Sequence, residues 1–143
     1  QPVITRRTQA TRVNLERMRA NAIEAAEQCG ILTIPGIAAE VRLDQALAAL
    51  DPERLLVFCD EDAPVRDPVA ALRGAARNPP LKLAVVVGPE GGFADEERVL
   101  VLRHPRVVRV SLGPRVLRAD TAAVAALALV QAVLGDWSGD AAP

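Results

Sequence analysis

The chain has no tyrosine, and Phe58, Phe93 and Trp137 are its only aromatic residues. Single-stranded nucleic acid is commonly held by stacking bases on aromatic side chains, so that mode of binding is disfavoured. Histidine occurs once, as His104, and cysteine twice, as Cys29 and Cys59. That spacing matches no metal-ligand pattern, and no metal is expected. Ser111 has no histidine near it in sequence, which argues against a hydrolase triad. His104 precedes Pro105 and reads as a helix-end residue rather than a base. The longest apolar helical stretch, 121–134, falls short of the ~20 residues that span a bilayer. Two unpatterned cysteines suit a reducing compartment. Each thiol is therefore expected to act as a small buried hydrophobe, and the protein to be soluble and cytoplasmic.

Half of the 143 residues are apolar, so the core must be built from Ala, Val, Leu and Ile. The length suits one domain over residues 1–143, large enough to bury a core. Net charge is −1, yet it is unevenly placed. Residues 1–20 hold Arg6, Arg7, Arg12, Arg17 and Arg19 against Glu16, giving +4 and leaving −5 for the rest. Such a basic leading segment reads either as a contact for phosphate backbone or as a solvated helix face.

Leu15, Met18, Ala22, Ala25 and Cys29 recur at steps of three and four, which predicts a helix over 10–29 stopped by Gly30. A short strand is expected at 32–34, a helix over 44–50 and a continuous apolar strand over 55–59. Asp67-Pro68 is an N-cap followed by proline at the first helical position, predicting a helix from Pro68 to about Arg77. A strand follows at 81–87. Asp95, Glu96 and Glu97 open the next helix with negative charge where the macrodipole favours it. Residues 107–111 read as the last strand, and Asp120 or Thr121 caps a final helix reaching Leu134. Strands that alternate with helices and are apolar without period-two alternation indicate an α/β fold, a parallel sheet with helices on both faces.

In such sheets ligands sit beyond the carboxyl ends of the strands. Three segments fall there: Cys59-Asp60-Glu61, the loop Gly88-Pro89-Glu90-Gly91-Gly92-Phe93, and residues 112–118. The glycine loop matches neither G-x-G-x-x-G nor G-x-x-x-x-G-K-[ST], so the usual dinucleotide and triphosphate readings lose their support. The final helix carries only Gln131 as a polar interior residue. A helix apolar all round must be covered all round, either at the centre of a monomer or at a subunit interface.

Together, Val87-Gly-Pro-Glu-Gly-Gly-Phe93 and Ser111-Leu-Gly-Pro-Arg-Val-Leu-Arg-Ala-Asp-Thr-Ala-Ala123 resemble the signature of one family. It is the bacterial methyltransferases that modify N3 of a uridine in 16S ribosomal RNA, within the SPOUT or α/β-knot superfamily. Ala25-Ala-Glu-Gln-Cys-Gly30 is similar to a third motif of that family, with Ile31 where arginine is usual. The resemblance covers nearly the whole chain. It implies a parallel sheet whose C-terminal stretch threads a trefoil knot, S-adenosylmethionine as cofactor, a homodimer, and ribosomal RNA in the small subunit as substrate. It also implies an N-terminal PUA-like RNA-binding barrel and a first catalytic-domain strand, which are not expected within these residues.

Carried over by position, the resemblance makes Val87, Gly88 and Gly92 one side of the cofactor site. Leu112, Gly113, Val116 and Leu117 form the other, with Arg118, Thr121 and Ala122 near the start of the final helix. Asp120 stands where the family more often has glutamate. Removing the N3 proton calls for a positioned base, for which Glu90 is the candidate; a cation such as Arg118 would stabilise the developing anion. Glu90 could equally brace its loop, and Arg118 could pair with Asp120. Arg6, Arg7, Arg12 and Arg115 are the candidate RNA contacts. Two other readings stand beside this one: another SPOUT RNA methyltransferase, such as a ribose 2′-O enzyme for transfer RNA, or a non-catalytic dimeric domain that binds ligand or RNA.

Overall fold

The computed structural model describes residues 1–9, 13–76 and 82–138. In chain order the elements are β1 (Val3–Ile4), α1 (Leu15–Gln28), β2 (Val41–Arg42), α2 (Leu43–Ala48) and β3 (Leu55–Cys59). They continue with α3 (Pro68–Ala75), β4 (Leu83–Val86), α4 (Asp95–Leu102), β5 (Val107–Val110) and α5 (Ala119–Leu134), then a short 3-10 turn at Asp136–Ser138.

Leu55-Leu-Val-Phe58 is buried on both faces because β3 lies in the middle of a parallel sheet ordered β4-β3-β5. Val57 is in register with Val85 on one side and Val108 on the other. Successive strand residues point to opposite faces, and each face has its own helices. Leu56 and Phe58 meet Leu43 of α2, Val101 of α4 and Phe93. Val57 and Val110 meet Leu72 of α3 and Val130 of α5 on the other side. The expected parallel sheet flanked by helices is therefore present. Fully burying a side chain such as Phe58 or Leu56 contributes ~1.5–3 kcal/mol, which makes β3 the thermodynamic centre.

The helix ends follow local chemistry. The Asp67 carboxylate accepts from the Val69 and Ala70 amides at 2.9 and 3.2 Å, with Pro68 behind it. Helix α3 stops at Ala75, short of the expected Arg77; residues 77–80, where Asn78-Pro79-Pro80 falls, lie outside the described residues. Helix α1 begins at Leu15, capped by Asn14, whose Oδ1 accepts from Arg17 N–H at 2.9 Å. It ends at Gly30, whose φ of +64° lets Ile31 N–H reach Ala26 O at 2.8 Å and Gly30 N–H reach Glu27 O at 3.2 Å. That pair of bonds closes the last turn.

Several expectations need correction. No strand forms at 32–34; that stretch has no strand partner, and Leu32 is 99% exposed. The two-residue strands β1 and β2, which pair in parallel, were not expected; neither is long enough to show a period. Strands β4 and β5 are shorter than read, ending at Val86 and Val110. Neither Asp120 nor Thr121 caps α5: Arg118 takes that position, and the Asp120 carboxylate accepts from the adjacent Thr121 amide at 2.7 Å. That amide holds the Asp120 carboxyl below the usual carboxylate range. Helix α5 does not lie at the centre of the monomer, the first of the two placements expected for it. It buries Ala122, Ala126 and Val130 on one stripe and leaves Val124 and Leu127 exposed. Cys29 is exposed rather than buried, because α1 seats itself mainly through Ala26. No helix among the described residues is long and apolar enough to cross a membrane.

Candidate functional site

A cavity of about 610 Å³ opens at the carboxyl ends of β3, β4 and β5. The three segments expected there, 59–61, 88–93 and 112–118, converge on it except for Arg118, and Asp62, Val87 and Ser111 extend its lining. A parallel sheet forces this outcome, because every strand runs the same way and discharges its following loop at the same rim. Val87, Gly88, Gly92, Leu112, Gly113, Val116, Leu117 and Ala122 all line it, as do Glu90 and Arg115. Arg118 and Thr121 do not. The exposed Arg118 guanidinium lies 3.8 Å from Asp120, and the Thr121 hydroxyl donates to the same carboxylate at 3.2 Å.

The glycine loop is shaped by two positions. At Gly88 a Cβ would stand 2.6 Å from the ring of Phe93, which is buried and meets Phe58 edge-on with centroids 5.2 Å apart. At Gly92 φ is +67°, and a Cβ would lie 2.9 Å from a carboxylate oxygen of Glu61. Side chains are thus excluded where the loop closes over the core. Glu90 crosses the opening: its Oε1 accepts from Ala119 N–H, at the first turn of α5, at 3.4 Å. It ties the glycine loop to the segment opposite rather than bracing its own turn.

The leading arginines split. The Arg6 amide donates to Glu97 Oε1 at 2.8 Å, and its guanidinium lies 3.3 Å from Glu96. Arg7 donates to the carbonyl of Gly91. Glu97 also accepts from Ala94 N–H at 3.0 Å, so one carboxylate joins the leading segment to the start of α4. Both arginines therefore reach the glycine-loop side of the cleft, engaged with protein groups. Arg12 lies outside the described residues.

Sequence reasoning missed the cluster beneath the cleft. Asp60, at the end of β3, has a carboxylate only 1% exposed. Arg98 of α4 holds it at 2.9 Å and Arg109 of β5 at 2.7 Å. Arg98 also reaches Asp62 at 2.8 Å, and Arg109 donates to the Asp62 carbonyl. One signal was available: an arginine inside the apolar strand Val107-Val-Arg-Val110 must find a buried partner or leave the sheet. Arg66, exposed and on the cavity wall, was also missed. Cys59 lines the cavity too, and burial pushes its thiol up to about 11.

Comparison with known proteins gives the family. Residues 1–131 match the model of the RNA methyltransferase domain family. The ribosomal RNA small subunit methyltransferase E of Rickettsia conorii is 33% identical over 91% of this chain and 52% of its own length. The Synechocystis protein of the same name is 34% identical over 94% of this chain and 44% of its own. The chain thus spans about half the length of these relatives. A crystal structure of the Neisseria gonorrhoeae enzyme of that name, bound to S-adenosyl methionine, superposes with a TM-score of 0.82 at 30% identity. It covers 96% of this chain and 55% of the other. On this match, and on a rim cleft built from the loops that carry the family's motifs, the chain belongs to the RNA methyltransferase domain family.

Proposed function

We propose that these residues form the catalytic domain of a cytoplasmic enzyme that uses S-adenosylmethionine to methylate N3 of a uridine in small-subunit ribosomal RNA. The observation that carries this reading is the convergence of loops 87–93 and 111–117 on one cavity. Its volume of about 610 Å³ falls in the range of sites that enclose a small organic ligand. The residues suit an adenosine: Val87, Leu112, Val116 and Leu117 offer apolar walls to a flat base, and backbone at Gly88, Gly92 and Gly113 offers hydrogen bonds to its edges. Gly113, at φ +102°, has nothing within 4 Å of where a Cβ would stand, so its backbone is open to a ligand.

When bound, S-adenosylmethionine supplies an electrophilic methyl group. The chain's own work is alignment, proton removal and charge balance. Glu90 sits at the mouth, where it can take the N3 proton of a uracil while its bond to Ala119 keeps the two loops together. Arg115 on the wall, with no partner among the described residues, is placed for an anionic oxygen of the nucleic acid. Arg118 reaches substrate only by leaving Asp120. Thr121 supports the start of α5 from outside the cavity, next to Ala122 on the wall. Arg6 and Arg7 contribute to RNA binding by holding the glycine loop, with any phosphate contact competing against Glu96 and the Gly91 carbonyl.

The proposal includes a homodimer and a C-terminal trefoil knot. The exposed Val124 and Leu127 of α5, with Met18 and Ile23 of α1, leave apolar surface that a second copy would cover. For the knot, the support is that loop 88–93 and segment 111–117 line one cavity and are joined by the Glu90–Ala119 hydrogen bond. Calorimetric titration with S-adenosylmethionine, followed by nucleoside analysis of ribosomal RNA incubated with the protein, tests the reading. Saturable binding and 3-methyluridine are expected. A ribose-methylated product would move the chain to another reaction, and absence of cofactor binding would leave a non-enzymatic domain.

A further inference from the structure

The Glu61 carboxylate lines the cavity yet makes no hydrogen bond or ion pair to another described residue. Its neighbours differ. Asp60 is held by Arg98 and Arg109, and Asp62 by Arg98. The backbone on either side is also pinned: Asp60 N–H donates to Val110 O at 2.9 Å, Asp62 N–H to Asp60 Oδ1 at 3.1 Å, and Ala63 N–H to Asp60 O at 3.1 Å. A rigid support therefore presents one uncommitted carboxylate to the cleft. On its other side stands Gly92, where any side chain would meet the carboxylate oxygen at 2.9 Å. The glycine leaves space that this acid occupies.

We propose that Glu61 is a ligand-contacting residue of the cleft, accepting hydrogen bonds from the vicinal hydroxyls of a ribose; this rests on the adenosine-cofactor reading above. An ionised carboxylate only accepts, so its ligand must bring donors. An adenosine cofactor brings three kinds: the base amine, the ammonium of its amino-acid arm and the two sugar hydroxyls. Backbone amides and carbonyls at 112–117 can serve the base edge. Two oxygens on one carboxylate match two hydroxyls on adjacent carbons, and the same pairing recurs where α/β proteins hold nucleoside sugars at a strand's carboxyl end. The Asp60 cluster then acts as a positioning device, since it fixes the two residues that flank Glu61.

The test is calorimetry on the wild-type chain and Glu61→Gln with four ligands. They are S-adenosylmethionine, S-adenosylhomocysteine, 5′-methylthioadenosine and the 2′-deoxy form of S-adenosylhomocysteine. Glu61 is exposed, so the variant should keep the wild-type melting temperature. Loss of a charge-assisted hydrogen bond predicts affinity weakened about tenfold for the three ribose ligands alike. The 2′-deoxy ligand should discriminate far less between the two proteins. A loss confined to S-adenosylmethionine would assign Glu61 to the sulfonium charge and overturn the proposal. So would a loss that spares methylthioadenosine, which has no ammonium group. If wild type binds these ligands and Glu61→Gln binds them equally well, the sugar contact is wrong while the cofactor reading stands. If wild type binds none, both fall.

Discussion

Replacing Asp60 by asparagine removes one negative charge from beneath the cleft while keeping shape and one acceptor oxygen. In the folded protein that carboxylate is 1% exposed and lies 2.9 Å from Arg98 and 2.7 Å from Arg109. Taking one partner from a buried ion pair costs about 3–5 kcal/mol, because the remaining charge stays desolvated. Here the two guanidiniums are 17% and 26% exposed, and Arg98 keeps Asp62 at 2.8 Å. Partial rehydration and that second carboxylate should reduce the loss to about 2–3 kcal/mol, or roughly 4–12 °C in Tm for a domain of this size. Urea denaturation read by far-ultraviolet circular dichroism measures it as a lower midpoint at unchanged slope. Asp62→Asn is the control: its carboxylate is 72% exposed, so it should lose no more than about 1 kcal/mol. If Asp60→Asn were as stable as wild type, or if both variants lost the same amount, the cluster would not hold the end of β3 as its buried ion pairs imply.

Gly88→Ala drives a methyl group to within 2.6 Å of the Phe93 ring, which cannot yield without disturbing Phe58; a loss of about 1–3 kcal/mol is expected in the same assay, and wild-type stability would contradict the tight closure. Iodoacetamide at pH 8 should label Cys29 well before Cys59, whose thiol burial pushes up to about 11 from 9.0. Because the folded state keeps the Cys59 proton longer than the unfolded chain, Cys59 should also lower stability as pH rises from 9 to 11. Equal labelling by mass spectrometry would remove both expectations. Leu127→Asp places a charge on the exposed face of α5 and should shift a dimer to monomer in sedimentation without lowering the monomer's helix content. Asp67→Ala loses two amide hydrogen bonds at the start of α3 and should cost about 1 kcal/mol.

Strand β3 was legible to the residue because 55–59 is apolar without alternation, the mark of a strand covered on both faces. Helix α3 announced its first turn through Asp67-Pro68, and α1 its last through Gly30. Two-residue strands such as β1 and β2 carry no period, so nothing in their sequence could reveal them. Most of the cleft wall was legible from motif and strand-end position together. The roles of Arg6 and Arg7 were not, since their partners Glu96, Glu97 and Gly91 lie some eighty to ninety positions away. Charge counting sees that they are basic, whereas only the folded chain shows that they are already engaged.

From β3 onward the order of strands and helices, the parallel sense of the sheet and the rim on which its loops gather follow from local pattern, because side-chain period and turn chemistry act over a few residues. Which carboxylates are neutralised, which is left free, and which faces of α1 and α5 stay bare depend on groups brought together from distant parts of the chain. Asp60 and Glu61 are adjacent acids in sequence; three-dimensional packing alone, by delivering Arg98 and Arg109 to the first and Gly92 to the second, makes one a strut and the other an open acceptor.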